Sequence, residues 1–560
     1  MVKITINGKV YNANSNQTIL EVCKKNNIYI PTLCYLKDIN EIGACKICVV
    51  EIEGQNDLAS ACNTKVADGM IINTESEKVL QARITNLQLI MSEHNYDCDN
   101  CKRNNNCTLQ SLVKKYDIDT TLYHNNIVTK FWNNNYSFIR DNTKCIKCMR
   151  CISICEKIQG LNVWDLINSG TRTNVGLRGN KDILNTRCVS CGQCVTHCPT
   201  GALTEKDETE KLLDAIKDPN KTVVVQVAPA IRSNDSLTIT KIAAALRKLG
   251  VDYVFDTNFA ADVTILEEGN ELVERLPKTT KLPMFTSCCP GWISFIKKEY
   301  PELIKQLSTT KSPQQIEGAL IKTYFAKQIG IKPKDIYSVS IMPCLAKKLE
   351  KDLPGMQSNK NLKDVDLVLT TREFIRLLDK ENINISKLKD SELDSPLQEH
   401  TGGASLFGTT GGVMEAALRY LYFALTGKKA KDNFYDNLKE HDVWKEAEIA
   451  INKEVVRIAV VSGLANARKL IEAILNKEVH YNFVEVMACP HGCVGGGGQP
   501  IKDQEELANK RSKVLYKLDN KADNKSSEDN KDVSNLYKDF LEKPLSHNSH
   551  KYLHVDHKKQ

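Results

Sequence analysis

No stretch of this 560-residue chain approaches a membrane-spanning run of about 18 apolar residues. Its opening, MVKITINGKVY, reads as a strand, without the apolar core or small-residue cleavage site of a secretory leader. No G-x-G-x-x-G loop follows a strand, so dinucleotide chemistry would need another chain. Charge of one sign is not in large excess: the net +7 is too modest to argue for nucleic acid, and reads as a basic patch for an acidic electron carrier as easily as nothing at all. These absences predict a soluble cytoplasmic protein of several domains, with no membrane and no nucleic acid among its partners. Against them stand 21 cysteines, which in a reducing compartment bind metal rather than pair as disulfides.

The expected fold class is α+β and multidomain. Lys3 to Ile6 and Lys9 to Tyr11 flank Asn7-Gly8, the pair that favours a type I′ hairpin, so the chain should open with a small β-rich domain. Thr74-Glu75-Ser76-Glu77 reads as a capping box, and Leu80, Ile84, Leu87 and Met91 recur at helical spacing up to about His94. From Val223 the texture changes. Apolar runs at Val223 to Val227, Val251 to Phe255, Val339 to Met342 and Ile458 to Val461 alternate with helical stretches such as Ile239 to Leu249, which predicts α/β layers. The tail beyond about Gln504 is rich in Lys, Asp, Asn and Ser and reads as a linker ending in a docking helix or as a solvated extension.

Four cysteine constellations occupy the first 200 residues. Cys34, Cys45, Cys48 and Cys62 form C-x10-C-x2-C-x13-C, a close pair with two outliers that lets a loop wrap a 2Fe-2S centre, with Gly43 and Ala44 small enough for close approach. Spacing alone leaves a zinc site open there. His94, Cys98, Cys101 and Cys107 are read as a 4Fe-4S site in which imidazole replaces one thiolate. CIKCMRCISIC and CVSCGQCVTHCP each repeat C-x2-C-x2-C-x3-C, the two-cluster ferredoxin run whose fourth cysteine serves the other cluster. Cys145, Cys148, Cys151 and Cys198 should therefore hold one 4Fe-4S cubane, and Cys188, Cys191, Cys194 and Cys155 the next. Glu156 stands where proline is usual in the first run, a turn position and no ligand. One 2Fe-2S and three 4Fe-4S centres make an electron wire.

Six cysteines lie outside it. Cys23, on an early helical stretch without a motif, reads as a buried structural thiol. The other five fall in TSCCPGW (Thr286 to Trp292), MPCLAKKLE (Met342 to Glu350) and EVMACPHGCVGGGGQP (Glu485 to Pro500), far apart as in a site gathered from several βα loops. These three stretches resemble the signature motifs of iron-only (FeFe) hydrogenases, and the upstream modules match that family's long clostridial form in order and spacing, over nearly the whole chain to about residue 503.

The resemblance implies an N-terminal β-grasp ferredoxin-like domain over residues 1–78, a histidine-plus-three-cysteine domain over 79–125, a two-cluster domain over 138–209, a large α/β H-cluster domain over 210–503 and a charged extension over 504–560. It further implies that Cys289, Cys344, Cys489 and Cys493 hold the cubane of an H-cluster, with Cys493 bridging to a diiron subsite that carries carbon monoxide, cyanide and an azadithiolate. Lys347 would donate to a cyanide. Met342 and Met487 would pack on the subsite, Pro229 and Ala230 would line it, and Gln314 and Phe407 match other pocket positions. Ala230 offers no hydroxyl where relatives carry serine, which implies one hydrogen bond fewer. Gly495 to Gly498 would permit close backbone approach.

By the same resemblance Cys288 is the proton donor nearest the bridge amine, followed outward by Glu268, Ser308, Glu271 and Arg275, with Glu271 and Arg275 at i, i+4 forming a charged mouth. Taken singly, that pair would be an exposed helical ion pair and Ser308 a cap. The implied activity is reversible reduction of protons to dihydrogen by a monomer, with electrons from ferredoxin or flavodoxin and a subsite installed by maturation proteins. Competing expectations are a subunit of a bifurcating or NAD(P)-linked hydrogenase, an electron-transfer subunit like that of respiratory NADH dehydrogenase, and a hydrogen sensor.

Overall fold

The computed structural model describes residues 1–123, 127, 132–234, 237–278, 281–359, 361–430, 434–451, 454–501 and 507–560. The expected boundaries at residue 125 and at 503/504 lie outside the described residues.

Asn7 and Gly8 both adopt positive φ (48° and 81°), the pair of left-handed conformations a type I′ turn requires. Val2–Ile6 consequently folds back antiparallel on Lys9–Ala13. The first strand also pairs in parallel with Ile71–Asn73, which is followed across a five-stranded mixed sheet by Val49–Ile52 and then the edge strand Ala59–Ser60. Helix Ile19–Lys25 covers it, begun by a capping box between Thr18 and Glu21, and buries Cys23 in the domain core. The next helix, Glu77–Met91, is capped by Ser76, whose side chain accepts from the Val79 amide. Thr74 makes no capping box, because its hydroxyl and amide are taken by the Asn7 side chain at 2.8 and 2.9 Å. The buried face of this helix is Val79, Arg83, Leu87 and Met91, with Leu80 and Ile84 half-buried. Arg83 is inside because its guanidinium caps the carbonyls of Ile47 (3.1 Å) and Val49 (2.8 Å).

A module follows with two short antiparallel ladders, Phe138–Arg140 with Leu203–Glu205 at its two ends and Trp164–Ile167 with Asn174–Leu177 between them in the chain. Helices Arg150–Lys157 and Gln193–Thr196 each start after a left-handed residue, Met149 and Gly192.

The half from residue 222 onward holds two sheets. One is wholly parallel, in the order Tyr253–Asp256, Thr222–Val227, Ile336–Met342, Leu367–Thr370. The other runs Met284–Phe285, Phe483–Met487, Glu454–Ser462, Trp444–Ile451, Lys439–His441, parallel for its first three strands and antiparallel thereafter. The three cysteine motifs and the Pro229-Ala230 turn all leave the carboxyl ends of these strands, where open α/β sheets gather ligands.

The tail is no solvated extension. Ala508–Lys521, Lys531–Leu536 and His547–Leu553 are helical, and Val533, Leu536, Tyr537, Leu541 and Leu553 join one core with Phe255, Phe259, Ile316 and Leu320. The apolar residues are spaced thinly among lysines and asparagines, so composition concealed an element that pins itself down one side chain at a time.

Candidate active site and its electron-transfer chain

Among the described residues, no three His, Cys, Asp or Glu side chains converge tightly enough for a single bare ion. The thiols instead stand around spaces, which suits polynuclear clusters better than the zinc that spacing had left open. Near the N-terminus Cys34 faces Cys45 and Cys48 faces Cys62, and all four thiols sense one another; hydrogen bonding from Cys34 is the main reason Cys45 is held down at about 6. Gly43 (φ 63°) turns the wrapping loop, and a Cβ there would lie 2.9 Å from Asn63.

His94, Cys98, Cys101 and Cys107 line a second cavity of about 300 Å³. The His94 ring is buried, which pushes it down to about 4 and keeps it neutral at pH 7, and its Nδ1 has no partner. A neutral imidazole with an unsatisfied buried nitrogen beside three thiols fits a cluster ligand. Cys145, Cys148, Cys151 and Cys198 surround a third cavity. Cys155 joins Cys188, Cys191 and Cys194; burial first and the neighbouring thiols second drive Cys191 and Cys194 well up. Each run's fourth cysteine thus lies beside the first three cysteines of the other run.

These groups abut. The Asn40 side chain donates to the carbonyls of both Cys34 (2.7 Å) and Cys148 (3.0 Å). The Cys107 thiol lies 3.7 Å from the Pro199 carbonyl, and Cys489 lies 3.9 Å from that of Cys191.

Beyond Cys489 opens a cavity of about 760 Å³ that is overwhelmingly apolar. It is lined by Cys288, Cys289, Cys344, Cys489 and Cys493, by Pro229 and Ala230, and by Gln314, Met342, Lys347, Phe407 and Met487, so every predicted pocket residue is brought together. Close approach of the Gly495–Gly498 loop is real: a Cβ on Gly496 would strike the Pro343 carbonyl, and one on Gly497 that of Cys191. Lys347 is buried, with its ammonium 3.1 Å from the Cys288 carbonyl and 3.0 Å from Glu350. Burial pulls its pKa down, but the Glu350 charge outweighs this and the net direction is upward, leaving a fixed cation at the pocket wall. Glu350 was not singled out in the sequence, yet it is the hub here. It also accepts from Ser312 (3.0 Å) and Gln314 (3.1 Å), while Ser340 donates to Gln314 Oε1 (2.8 Å). Its MPCLAKKLE context, three residues beyond Lys347 on helix Ala346–Glu350, was the available signal.

The relay candidates also converge. Cys288 senses the Glu268 carboxyl. Glu268 is buried and pushed up to about 8, by burial first and by the nearby Glu271 charge second; Ser308 and the Ser287 amide oppose that rise without closing a hydrogen bond of full geometry. Ser308 donates to Glu271 Oε2 at 2.9 Å, and Arg275 pairs with Glu271 Oε1. Glu271 and Arg275 do not form an exposed mouth. They are 8% and 7% exposed because the C-terminal segment lies over them, with His554 on Thr309 (2.8 Å), the Val555 amide on the Thr309 carbonyl (2.8 Å) and His557 on the Ser308 carbonyl (2.9 Å).

An α/β domain with a cysteine-lined apolar pocket, fed by a file of thiol-lined cavities, defines an iron-sulfur redox enzyme. Comparison with known proteins makes the class specific. Residues 221–497 match the family described as iron only hydrogenase large subunit, C-terminal domain, and residues 505–560 match iron hydrogenase small subunit. Upstream, residues 1–77 match a 2Fe-2S iron-sulfur cluster binding domain, 83–121 an iron-sulfur binding region of NADH-ubiquinone oxidoreductase, and 144–202 a 4Fe-4S dicluster domain. The chain is 42% identical to a subunit of an NADP-reducing hydrogenase from Solidesulfovibrio fructosivorans, across all of this chain and 99% of that protein. It is 39% identical to iron hydrogenase 1 of Clostridium pasteurianum, across the full length of both. A solved apo [FeFe]-hydrogenase from Chlamydomonas reinhardtii superposes with TM-score 0.57 and 39% identity, over 62% of this chain and 98% of that one. The chain belongs to the iron-only hydrogenase family and is a hydrogenase oxidoreductase with 2Fe-2S and 4Fe-4S modules. No helix among the described residues is long and apolar enough to cross a membrane.

Proposed function

We propose that this enzyme reversibly reduces two protons with two electrons to dihydrogen, drawing electrons from reduced ferredoxin or flavodoxin through one 2Fe-2S and three 4Fe-4S centres. The observation that carries this reading is the 760 Å³ pocket, on which four cysteines suited to a cubane, a fifth thiol and a buried lysine all open. Cys289, Cys344, Cys489 and Cys493 would hold the cubane and Cys493 the link to the diiron subsite. When bound, that group supplies the site of proton reduction and the redox equivalents for it.

The protein's share is the surroundings. Met342, Met487, Phe407, Pro229 and Ala230 keep the pocket apolar and exclude water. Lys347, held by Glu350, presents a positive charge suited to anionic ligands. Cys288 holds a proton at the pocket wall and is resupplied through Glu268, Ser308 and Glu271. The raised Glu268 pKa suits this task, since a carboxyl near 8 both takes and gives protons at neutral pH. The test is hydrogen evolution from reduced methyl viologen by protein made anaerobically with the maturation machinery and checked for full iron content. Rapid evolution that collapses in Cys288→Ala is expected; silence from fully loaded protein would sink the catalytic reading.

A second reading, carried by the NADP-reducing relative, is that another chain delivers electrons from a nicotinamide cofactor. It predicts that this chain alone neither binds nor reduces NADP, and that a partner subunit restores the exchange.

A further inference from the structure

A relay must meet water, and the group expected at its outer end does not provide the contact. Arg275 directs its guanidinium inward, to Glu271 and to the carbonyls of Leu307 (2.8 Å) and Gln306 (3.2 Å), and a guanidinium does not release protons in the working range. What Glu271 has instead is Thr309, whose hydroxyl lies 3.2 Å from Oε1 of Glu271 and 2.8 Å from Nδ1 of His554. On its other side the His554 ring places Nε2 3.0 Å from Glu267, a carboxylate that also accepts from the Tyr537 hydroxyl (2.7 Å) and the Leu545 amide (2.9 Å). His550, exposed and one turn earlier on helix His547–Leu553, stands over the same ring with centroids 4.5 Å apart.

We propose that His554, supplied by the C-terminal segment, extends the relay beyond Glu271 as its outer proton-transfer residue, exchanging with Glu271 through the Thr309 hydroxyl and with water by way of His550. The inference rests on the relay described above. In the inward direction the Nδ1–H bond of protonated His554 breaks as the Thr309 oxygen takes that proton, and Thr309 gives its own to Oε1 of Glu271. The imidazolium becomes neutral, with its remaining proton on Nε2 toward Glu267, and the carboxylate becomes a carboxylic acid, so charge is conserved. A proton taken from water by His550 then restores His554. The groups facing this ring are Glu267 and Glu271 from helix Asn258–Arg275, with Glu274 further along it, Tyr537 from the preceding turn of the tail, and His550 from its own helix.

The test compares wild type, His554→Gln, Thr309→Val and Glu271→Gln as loaded holoenzymes. Glutamine keeps hydrogen-bonding capacity but cannot carry the proton. The expected result is a loss of about ten-fold in hydrogen evolution for His554→Gln and Thr309→Val, with a larger solvent isotope effect and a pH profile that loses its imidazole limb. A second readout needs no active cluster. In protein produced without maturation, the infrared carboxyl band that disappears in Glu271→Gln should titrate at a different pH in His554→Gln. Full-speed His554→Gln beside slow Glu271→Gln overturns this inference and leaves the relay standing. A rate loss equal at every pH, with the isotope effect and the carboxyl band unmoved, marks a structural role and overturns it too. A fully loaded wild type that evolves nothing removes the relay itself, and this extension with it.

Discussion

The thiol of Cys489 points at the carbonyl oxygen of Cys191, 3.9 Å away. One residue belongs to the ferredoxin-like module, the other to the pocket, so the last accessory centre and the catalytic cubane would be neighbours across a single peptide group. Gly192 and Gly497 make the approach feasible, being packed backbone to backbone.

Gly192→Ala tests that seam. Gly192 has φ 76°, and its added Cβ would lie 2.9 Å from the Gly497 Cα and 2.5 Å from Leu345. Left-handed backbone and overpacking should together cost about 2–4 kcal/mol, read from the urea midpoint. Electron delivery from reduced viologen should slow further than the residual folded fraction explains.

Lys347→Met removes the cation that neutralises Glu350 in a buried network with Ser312 and Gln314. Stranding that carboxylate should cost about 3–5 kcal/mol in chemical denaturation. Maturation of this variant should yield protein with its accessory iron but depleted in diiron, by iron count and infrared spectra.

Glu268→Gln should separate stability from turnover. The folded pKa of Glu268 is raised to about 8, so the native state holds the proton after the unfolded chain has lost it, and wild-type stability drains away as pH climbs from the ordinary carboxyl range to about 8. Glutamine has no such loss. The variant should therefore gain on wild type in melting temperature between pH 5 and pH 8 and hold that gain above, while hydrogen evolution falls by about 100-fold or more.

His94→Ala should lower bound iron by about four atoms per chain and leave the remaining centres intact. The measurement is iron per chain alongside electron paramagnetic resonance of the reduced protein. The ring is held down at about 4 by burial, so as pH falls from the ordinary imidazole range the unfolded wild-type chain takes up a proton that the folded state refuses; the variant lacks that loss and should gain on wild type in melting temperature from about pH 6.5 down to pH 4.

Much of this was legible in the sequence because iron-sulfur motifs are local: a turn that presents C-x2-C is set by a few residues, and the parallel strands announce themselves as apolar runs. Pocket residues as scattered as Pro229, Gln314, Phe407 and Met487 were reached through family resemblance, since nothing near them in sequence carries the signal. What escaped depended on distant pairing. Thr74 lost its cap to Asn7, a partner 67 residues away. Glu350 looked like one more helix carboxylate until Ser312 and Gln314 arrived from another helix. The Glu271–Arg275 pair looked exposed because its cover comes from residues 554–557, in a segment whose composition reads as solvated.

The loop that carries Cys489 and Cys493 owes its shape to the neighbouring module. Gln159 donates to the Ala488 carbonyl (2.9 Å), Gln193 to that of Gly495 (2.8 Å) and Thr196 to that of Gly497 (3.4 Å). The pieces have separate relatives, yet they are not separable parts. A minimal enzyme cut from this chain at the start of the catalytic half would leave the Ala488 and Gly495 carbonyls bare along the loop that carries Cys489 and Cys493, while Gly497 would keep only its bond from Arg372. Miniaturising it is therefore a problem of resurfacing before it is one of rewiring.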